Sequence, residues 1–259
     1  MKTQSVLPSI MVAMLPAMLS AQTIFFDDFN SYSVGQASLD ATYESRYTNT
    51  SASIQITDTS GLGGSHAWSN SADNQIVRKD IGIDFTNGAV LEASASFQYN
   101  GSGGIAGPQL GFTLTPTGNV TGAGDLSGRL NNNALQLRQN NGTVSTGATL
   151  SLTTGEWYQI VYTLQKTETL DTFAATLSVY NSSSAGVVGS VVGTYSDTIT
   201  DATFYADSDI YFVLRENTSI ANMDNFAVTQ SAIPEPSTAA LLIGATVLGA
   251  LVYRRRKAQ

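Results

Sequence analysis

Two-residue alternation of apolar and polar side chains is the pattern that most constrains this chain. Leu91, Ala93, Ala95, Phe97 and Tyr99 alternate with Glu92, Ser94, Ser96 and Gln98. The same period runs through Leu110 to Leu114, Tyr158 to Leu164, Phe173 to Val179, Ile210 to Leu214 and Phe226 to Val228. An extended chain points successive side chains to opposite faces, so each run reads as a β-strand that buries one face. No segment between the termini repeats at the helical period. The phase of the runs places Leu91, Phe97, Phe112, Ile160, Leu164, Leu177, Phe212 and Phe226 in the core. Trp157 joins them, because its strand is apolar on both faces. Asn140-Asn141-Gly142 tolerates positive φ and predicts a hairpin after Leu135 to Arg138. Asn100 to Gly104 and Gly61-Leu62-Gly63-Gly64 read as loops. Many short strands with polar turns, and no linker or repeat, predict one all-β antiparallel sandwich over residues 22–232, of jelly-roll type.

The surface chemistry is unusual. Only 12% of residues are charged, against about 25% in an average globular protein. The 29 Ser and 30 Thr take over that surface. The absence of Cys excludes disulfides, thiol nucleophiles and Cys-zinc sites. A single histidine, His66, excludes a multi-His metal centre and any mechanism with two imidazoles; it reads as a strand residue bonded to its neighbours. A net charge of −8 argues against nucleic acid as a partner.

The two ends differ in kind from the middle. Residues 1–21 place Lys2 ahead of an apolar stretch from Val6 to Leu19, with small residues at Ser20 and Ala21, the layout of a signal peptide removed by signal peptidase. The other end runs Pro234-Glu235-Pro236, an uncharged stretch over 237–253, then Arg254, Arg255, Arg256 and Lys257. The uncharged stretch is long enough for a single transmembrane helix, and the four cations would hold its end in the cytoplasm. The two prolines block helix propagation upstream and leave Pro-Glu-Pro extended. Removal of Lys2 and the four tail cations leaves seven basic residues against 20 acidic ones, a net charge of −13 if Glu235 is kept.

Residues 233–259 resemble the PEP-CTERM sorting signal in order, spacing and position. The resemblance implies an exosortase as partner, acting on Pro234, Glu235 and Pro236, and removal of the tail in a Gram-negative bacterium that makes exopolysaccharide. A plain membrane anchor would need no such tripeptide. The strand Gly155-Glu156-Trp157-Tyr158-Gln159-Ile160-Val161-Tyr162 resembles a strand of the concanavalin A-like lectin/glucanase superfamily, in its laminin-G-like members. Phe26-Asp27-Asp28-Phe29 and Met223-Asp224-Asn225-Phe226-Ala227-Val228 resemble the end strands of secreted bacterial proteins of this kind. The resemblance implies a jelly roll whose first and last strands lie together.

No catalytic residue is identified. The Glu-x-Asp-x-x-Glu strand of the superfamily's glycosidases is absent, and so are a Gly-x-Ser-x-Gly elbow and a phosphate-binding loop. The chain therefore reads as non-enzymatic, with a glycosidase or lyase on the same fold as the alternative. Sugar binding needs exposed rings beside amides, and Trp68, Tyr99 and Tyr205 each lie next to a polar loop. No cofactor is expected beyond a structural calcium. Asp27, Asp28 and Asp224 would approach one another if the chain ends meet, and hard oxygens suit that ion; the same carboxylates could instead accept hydrogen bonds at strand ends. The sequence thus describes an exported precursor held in the inner membrane, then a cell-surface or matrix protein. Its partners would be exosortase, signal peptidase and extracellular polysaccharide, with a purely structural coat or adhesin role as a further alternative. Replacing Pro234 and Pro236 by Ala is expected to leave the precursor membrane-held with its tail attached. Fractionation with an antibody to the tail checks this, and unchanged processing would favour a plain anchor.

Overall fold

The computed structural model describes residues 21–36, 45–47, 55–69, 75–82, 85, 89–101, 107–114, 126–140, 142–206, 209–216 and 220–231. The expected signal peptide up to residue 20, and the Pro-Glu-Pro tripeptide, helix and basic tail, lie outside these residues. Among the described residues no helix is long and apolar enough to cross a membrane.

Among the described residues sixteen strands, one short α-helix and one 3-10 turn at Leu62–Gly64 follow in chain order. The first eight strands are β1 (Gln22–Asp27), β2 (Gly35–Gln36), β3 (Ser45–Tyr47), β4 (Gln55–Thr57), β5 (Ala67–Ser69), β6 (Gln75–Asp80), β7 (Val90–Tyr99) and β8 (Gln109–Thr113). Then come β9 (Leu126–Asn131), β10 (Ala134–Gln139), β11 (Gly142–Thr149), β12 (Trp157–Lys166), β13 (Thr172–Ser182), β14 (Val188–Thr200), α1 (Ala202–Ala206), β15 (Tyr211–Glu216) and β16 (Ile220–Ser231). They form two antiparallel sheets. Sheet A has the order β14-β13-β12-β7-β16-β5-β4-β2, with β1 also on β16; sheet B has the order β11-β10-β9-β8-β15-β6-β3. The all-β antiparallel class read from the alternation is what the chain adopts.

The strand phase is also as read. In sheet A, Leu91 lies opposite Leu164, Ala93 opposite Tyr162, Ala95 opposite Ile160 and Phe97 opposite Tyr158, all on the inner face. Small residues on β7 thus face large ones on β12, which lets the layer fill without voids. All eight residues predicted for the core are fully buried; Trp157, also read as core, is buried on the outer face opposite Gln98 instead. Sheet B returns Leu110, Phe112, Leu135, Leu137, Phe212 and Leu214 to the same interior. Phe112 and Tyr162 meet across the sandwich at 6.1 Å between ring centroids. Gly128 has no room for a Cβ, because Leu177 and Tyr162 fill that space.

Two turns and the helix show what local chemistry adds. Asn140 has φ 49°, as the predicted hairpin between β10 and β11 requires. Asn132 and Asn133 have φ 49° and 60° and make a tighter turn between β9 and β10; the sequence reading passed over it, although an Asn pair is the expected signal. Helix α1 is too short to show a helical period. Its cap is legible only in the structure, where Asp201 Oδ1 accepts the Phe204 N–H at 2.9 Å.

The chain ends meet as the resemblance implied. Strand β1 pairs with β16 from Gln22 opposite Gln230 to Asp27 opposite Phe226. At Asn225 (φ 51°) the register of β16 against β7 shifts. This bulge keeps Met223 and Phe226 inward and leaves Asp224 on the outer face, opposite Ser96. The segment from Gly61 to His66 then closes over Asp224. Asp224 Oδ2 accepts the Leu62 N–H and the Ser65 hydroxyl, both at 2.9 Å, and Oδ1 accepts the Asn225 N–H at 2.7 Å. Gly61 passes so close to His66 O, Ser65 Oγ and Asp224 Oδ2 that any Cβ would collide. On the neighbouring turn, Asp27 Oδ1 accepts the Phe29 N–H at 2.9 Å and Oδ2 accepts the Tyr32 hydroxyl at 3.0 Å. That turn holds Phe29 at φ 59° and sends its ring edge-on to Phe226, 4.8 Å away. Asn30 Oδ1 accepts the His66 N–H at 3.1 Å and ties the two loops together.

Burial raises the Asp224 carboxyl above its ordinary pKa of 3.8, opposed by its hydrogen bonds and aided by the charge of Asp28. The folded state therefore holds this proton more tightly than the unfolded chain. That contribution is complete below 3.8 and is lost as pH rises through the folded value. Asp224→Asn is expected to flatten this segment of the stability–pH curve. At neutral pH it should cost about 1–3 kcal/mol, because an NH₂ group then faces a buried donor. Chemical denaturation across the pH range checks both effects. Tyr162 offers the opposite case: its hydroxyl is buried without a partner. Tyr162→Phe is expected to stabilise the fold by about 1 kcal/mol, read as a raised Tm.

Candidate functional site

Of the three aromatic residues singled out from sequence, Trp68 and Tyr99 are buried and Tyr205 is partly buried against the core. Trp68 is 0% exposed on β5, edge-on to Phe226 at 5.5 Å. Tyr99 belongs to the inward set of β7 and is 5% exposed, with its hydroxyl accepting a hydrogen bond from Asn133 Nδ2 at 3.2 Å. Tyr205 sits on α1, stacked edge-on to Phe173 at 5.5 Å and capped by Lys166 Nζ, 4.0 Å from its ring centre; its hydroxyl donates to Thr167 O at 3.0 Å. Polar neighbours in sequence suggested loops around them, but strand phase turned Trp68 and Tyr99 inward. A ring packed on its own core offers no face to a sugar.

Asp27, Asp28 and Asp224 are brought to one seam, close enough for the charge of Asp28 to act on Asp224. Asp27 and Asp224 spend both of their oxygens on N–H and hydroxyl donors. Asp28 Oδ1 accepts the Asn30 N–H at 3.2 Å. Among the described residues no three His, Cys, Asp or Glu side chains gather as a metal-holding set. The hydrogen bonds match the strand-end alternative. Their effect is to fix the loop from Asp58 to His66 against the sheet.

That loop forms one wall of an open cleft of about 490 Å³. Thr59, Ser60, Gly61, Gly63 and Gly64 line this side, Ser184 and Ala185 the opposite side, and Gln98, Trp157 and Asn222 lie between them. The volume is within the usual range for a small-molecule site. Gly63 and Gly64 take φ 67° and 80°, which permits a wall made of backbone, and the Gly63 N–H donates to Ser184 O, joining the two walls. Thr59 holds φ 57°, an uncommon conformation for a β-branched residue and one that collects at functional loops.

The residues between the walls are set by register. Gln98 on β7 lies between Trp157 on β12 and Asn222 on β16. Gln98 Nε2 donates to Gly155 O at 2.9 Å, and Asn222 Nδ2 donates to Gln98 Oε1 at 2.9 Å. The amides are therefore fixed in orientation. Asn222 Oδ1, Thr59 Oγ1 and Ser184 Oγ have no hydrogen-bond partner within the described protein. No lining residue is charged. The site can exchange hydrogen bonds with a neutral polyol over a base that includes Trp157; its lining has no carboxylate for acid–base work. The sequence reading assigned Trp157 to the core; it is 6% exposed but lies opposite Gln98 on the outer face, outside the core cluster, and its part at the cleft was missed. Thr59, Ser184 and Asn222 carry no local motif, so no signal in the sequence singles them out.

Comparison with known proteins bears on both the end of the chain and its β structure. No curated protein matches the sequence. Residues 232–257 match the model of the PEP-CTERM protein-sorting motif. The β structure is similar to the crystal structure of basic winged bean lectin with Tn-antigen: 12% identity, 81% of this chain and 99% of that chain covered, TM-score 0.51. It also aligns with winged bean acidic lectin complexed with methyl-α-D-galactose, at 12% identity, 82% and 99% coverage and TM-score 0.49. The carbohydrate recognition domain of Emp46p aligns at 10% identity, 66% and 84% coverage and TM-score 0.43. The chain thus carries a PEP-CTERM sorting motif behind a β-sandwich whose structural neighbours are legume-type lectins of the concanavalin A-like jelly-roll fold.

Proposed function

We propose that this protein is exported, processed by an exosortase, and displayed at the surface of a Gram-negative cell or in its matrix, where the cleft binds a neutral saccharide. Residues 22–232 would be the working domain. The observation that carries the reading is the cleft itself: fixed amides and free hydroxyls beside the buried Trp157, with no charge. Sugar hydroxyls both donate and accept, and such a lining can satisfy both roles. The likeness of the fold to a lectin crystallised with Tn-antigen supports it, and the sorting motif supports delivery outside the cell.

A purely structural coat role has one observation in its favour. On the outer face of sheet A, Thr176 Oγ1 and Ser196 Oγ pair at 2.8 Å, as do Ser178 Oγ and Thr194 Oγ1. These hydroxyls satisfy one another and leave that part of the sheet inert.

The full-length chain in mild detergent, applied to a glycan array, decides between the two. Binding to a neutral oligosaccharide is expected. Asn222→Ala and Gln98→Ala should each weaken it about threefold to tenfold by loss of one hydrogen bond, with melting unchanged. An array without any neutral hit, or variants that bind like wild type, would leave the coat reading.

A further inference from the structure

Beyond the cleft, the outward face of sheet A is open and almost without charge. Cross-strand register sets Thr229, Glu92, Thr163, Thr176 and Ser196 in one row across β16, β7, β12, β13 and β14. Flanking rows run from Ala227 to Thr194 and from Ser231 to Thr198 across the same strands. Of these three rows of five residues Glu92 alone is charged; the others are Ser, Thr, Ala, Val and one Gln. Thr194, Ser196 and Thr198 are exposed, and Glu92, Thr163, Thr176 and Thr229 are half-buried. At the β1 margin Phe26 stands opposite Ala227 and is 56% exposed.

The chemistry of this face suits a surface identical to itself. Thr176 pairs with Ser196, and Ser178 with Thr194, through hydroxyls 2.8 Å apart, so these groups can leave water already bonded. Depletion of charge marks the core of protein interfaces, and copies of a chain of net charge −8 repel one another least where charge is missing. Six strands about 4.8 Å apart and three rows about 7 Å apart span roughly 600 Å², the lower limit of what each partner buries in a specific interface. The β14 edge offers no competing route: its register shifts twice, and Asp197 stands opposite the inward Ala175. Orientation follows from the cleft end. There the Gly63 N–H donates to Ser184 O, and Gly186 lies against Leu62, so loop and hairpin form a ridge over the sheet. Two such faces approach only with their ridges at opposite ends.

We propose that this face docks a second copy of the chain about a two-fold axis that runs across the strands through the Glu92–Thr163 row. Each residue of that row then faces its own counterpart, and the two Glu92 carboxyls meet. Glu92 has no hydrogen-bond or ion-pair partner among the described residues. Thr163 and Thr229 opposite it do not titrate, nor do Val161, Gln165, Ala227 and Ser231 one step along. Burial already raises this carboxyl above its ordinary value. Docking buries it further beside a like charge, so association takes up protons and strengthens as pH falls.

Sedimentation equilibrium of the full-length chain in density-matched mild detergent tests this. A concentration-dependent dimer is expected, tighter in acid and tighter with added salt, which screens the net repulsion. Glu92→Gln should tighten the dimer about tenfold at neutral pH and remove its pH dependence. Thr163→Arg should weaken it about tenfold or more by placing two cations face to face, with melting unchanged; Thr176→Arg is the second variant if the first fails to fold. Because the chain has no cysteine, Thr163→Cys should join two copies through a short bismaleimide, whereas Thr146→Cys, on the exposed β11 of sheet B, should not. Asn222→Ala should dimerise like wild type, which separates this surface from saccharide binding at the cleft. A monomer at every concentration and pH, a dimer unaffected by both arginine variants, equal cross-linking of the two cysteine variants, or loss of the dimer in Asn222→Ala would each overturn the proposal.

Discussion

One extra residue, Asn225, allows β16 to serve two neighbours along a single edge. Strand β5 pairs with Asn222 and Met223 before the bulge, and β1 pairs with Phe226 to Gln230 after it. The bulge also places Asp224 outward, where the loop from Gly61 to His66 folds over it. Without that carboxylate the loop would have a buried N–H and a hydroxyl in need of partners, which water could meet only by opening the seam. The closure of the sheet at the chain ends, the wall of the cleft and the turn that returns Phe29 to the core all hang on this small polar cluster.

The two outer faces of the sandwich differ in chemistry. Sheet A is covered in Ser, Thr and amides that bond to one another or to backbone, and its cleft is uncharged. Sheet B gathers Arg129, Arg138 and Arg215 around a buried glutamine. In a chain with so few cations, each arginine placed on one sheet is an arginine missing elsewhere. The rest of the body is left acidic.

Reading the chain from its residues alone reached the core but not the site. The strand phase of β7, β12 and β13 was legible because a two-residue period with one face buried admits a single solution; a slip of one position would have turned Leu164 and Phe97 to solvent. The same phase already contained the answer for Tyr99, which alternates with the inward set, yet its polar neighbours drew attention to the loop beyond it. Trp68 was harder, because three residues of β5 are too few to define a phase. Helix α1 was invisible for the same reason of length.

By itself, the sequence determined the properties that reside in local pattern: an antiparallel β-sandwich, its buried face, the hairpin at Asn140, and the sorting motif at the end of the chain. These depend on neighbours one to four positions apart, and hydrophobic burial selects among few alternatives. Only the tertiary structure decided which polar residues meet. Asp224 reaches Leu62 and Ser65 across more than 150 positions of chain. Gln98, Trp157, Asn222 and Ser184 come to one cleft from four separate segments, and Arg129, Arg138 and Arg215 to one face from three strands. Strand order and register bring such residues together, and both are set by the packing of the whole chain, because the pairing of distant strands is fixed only when every face has found its partner.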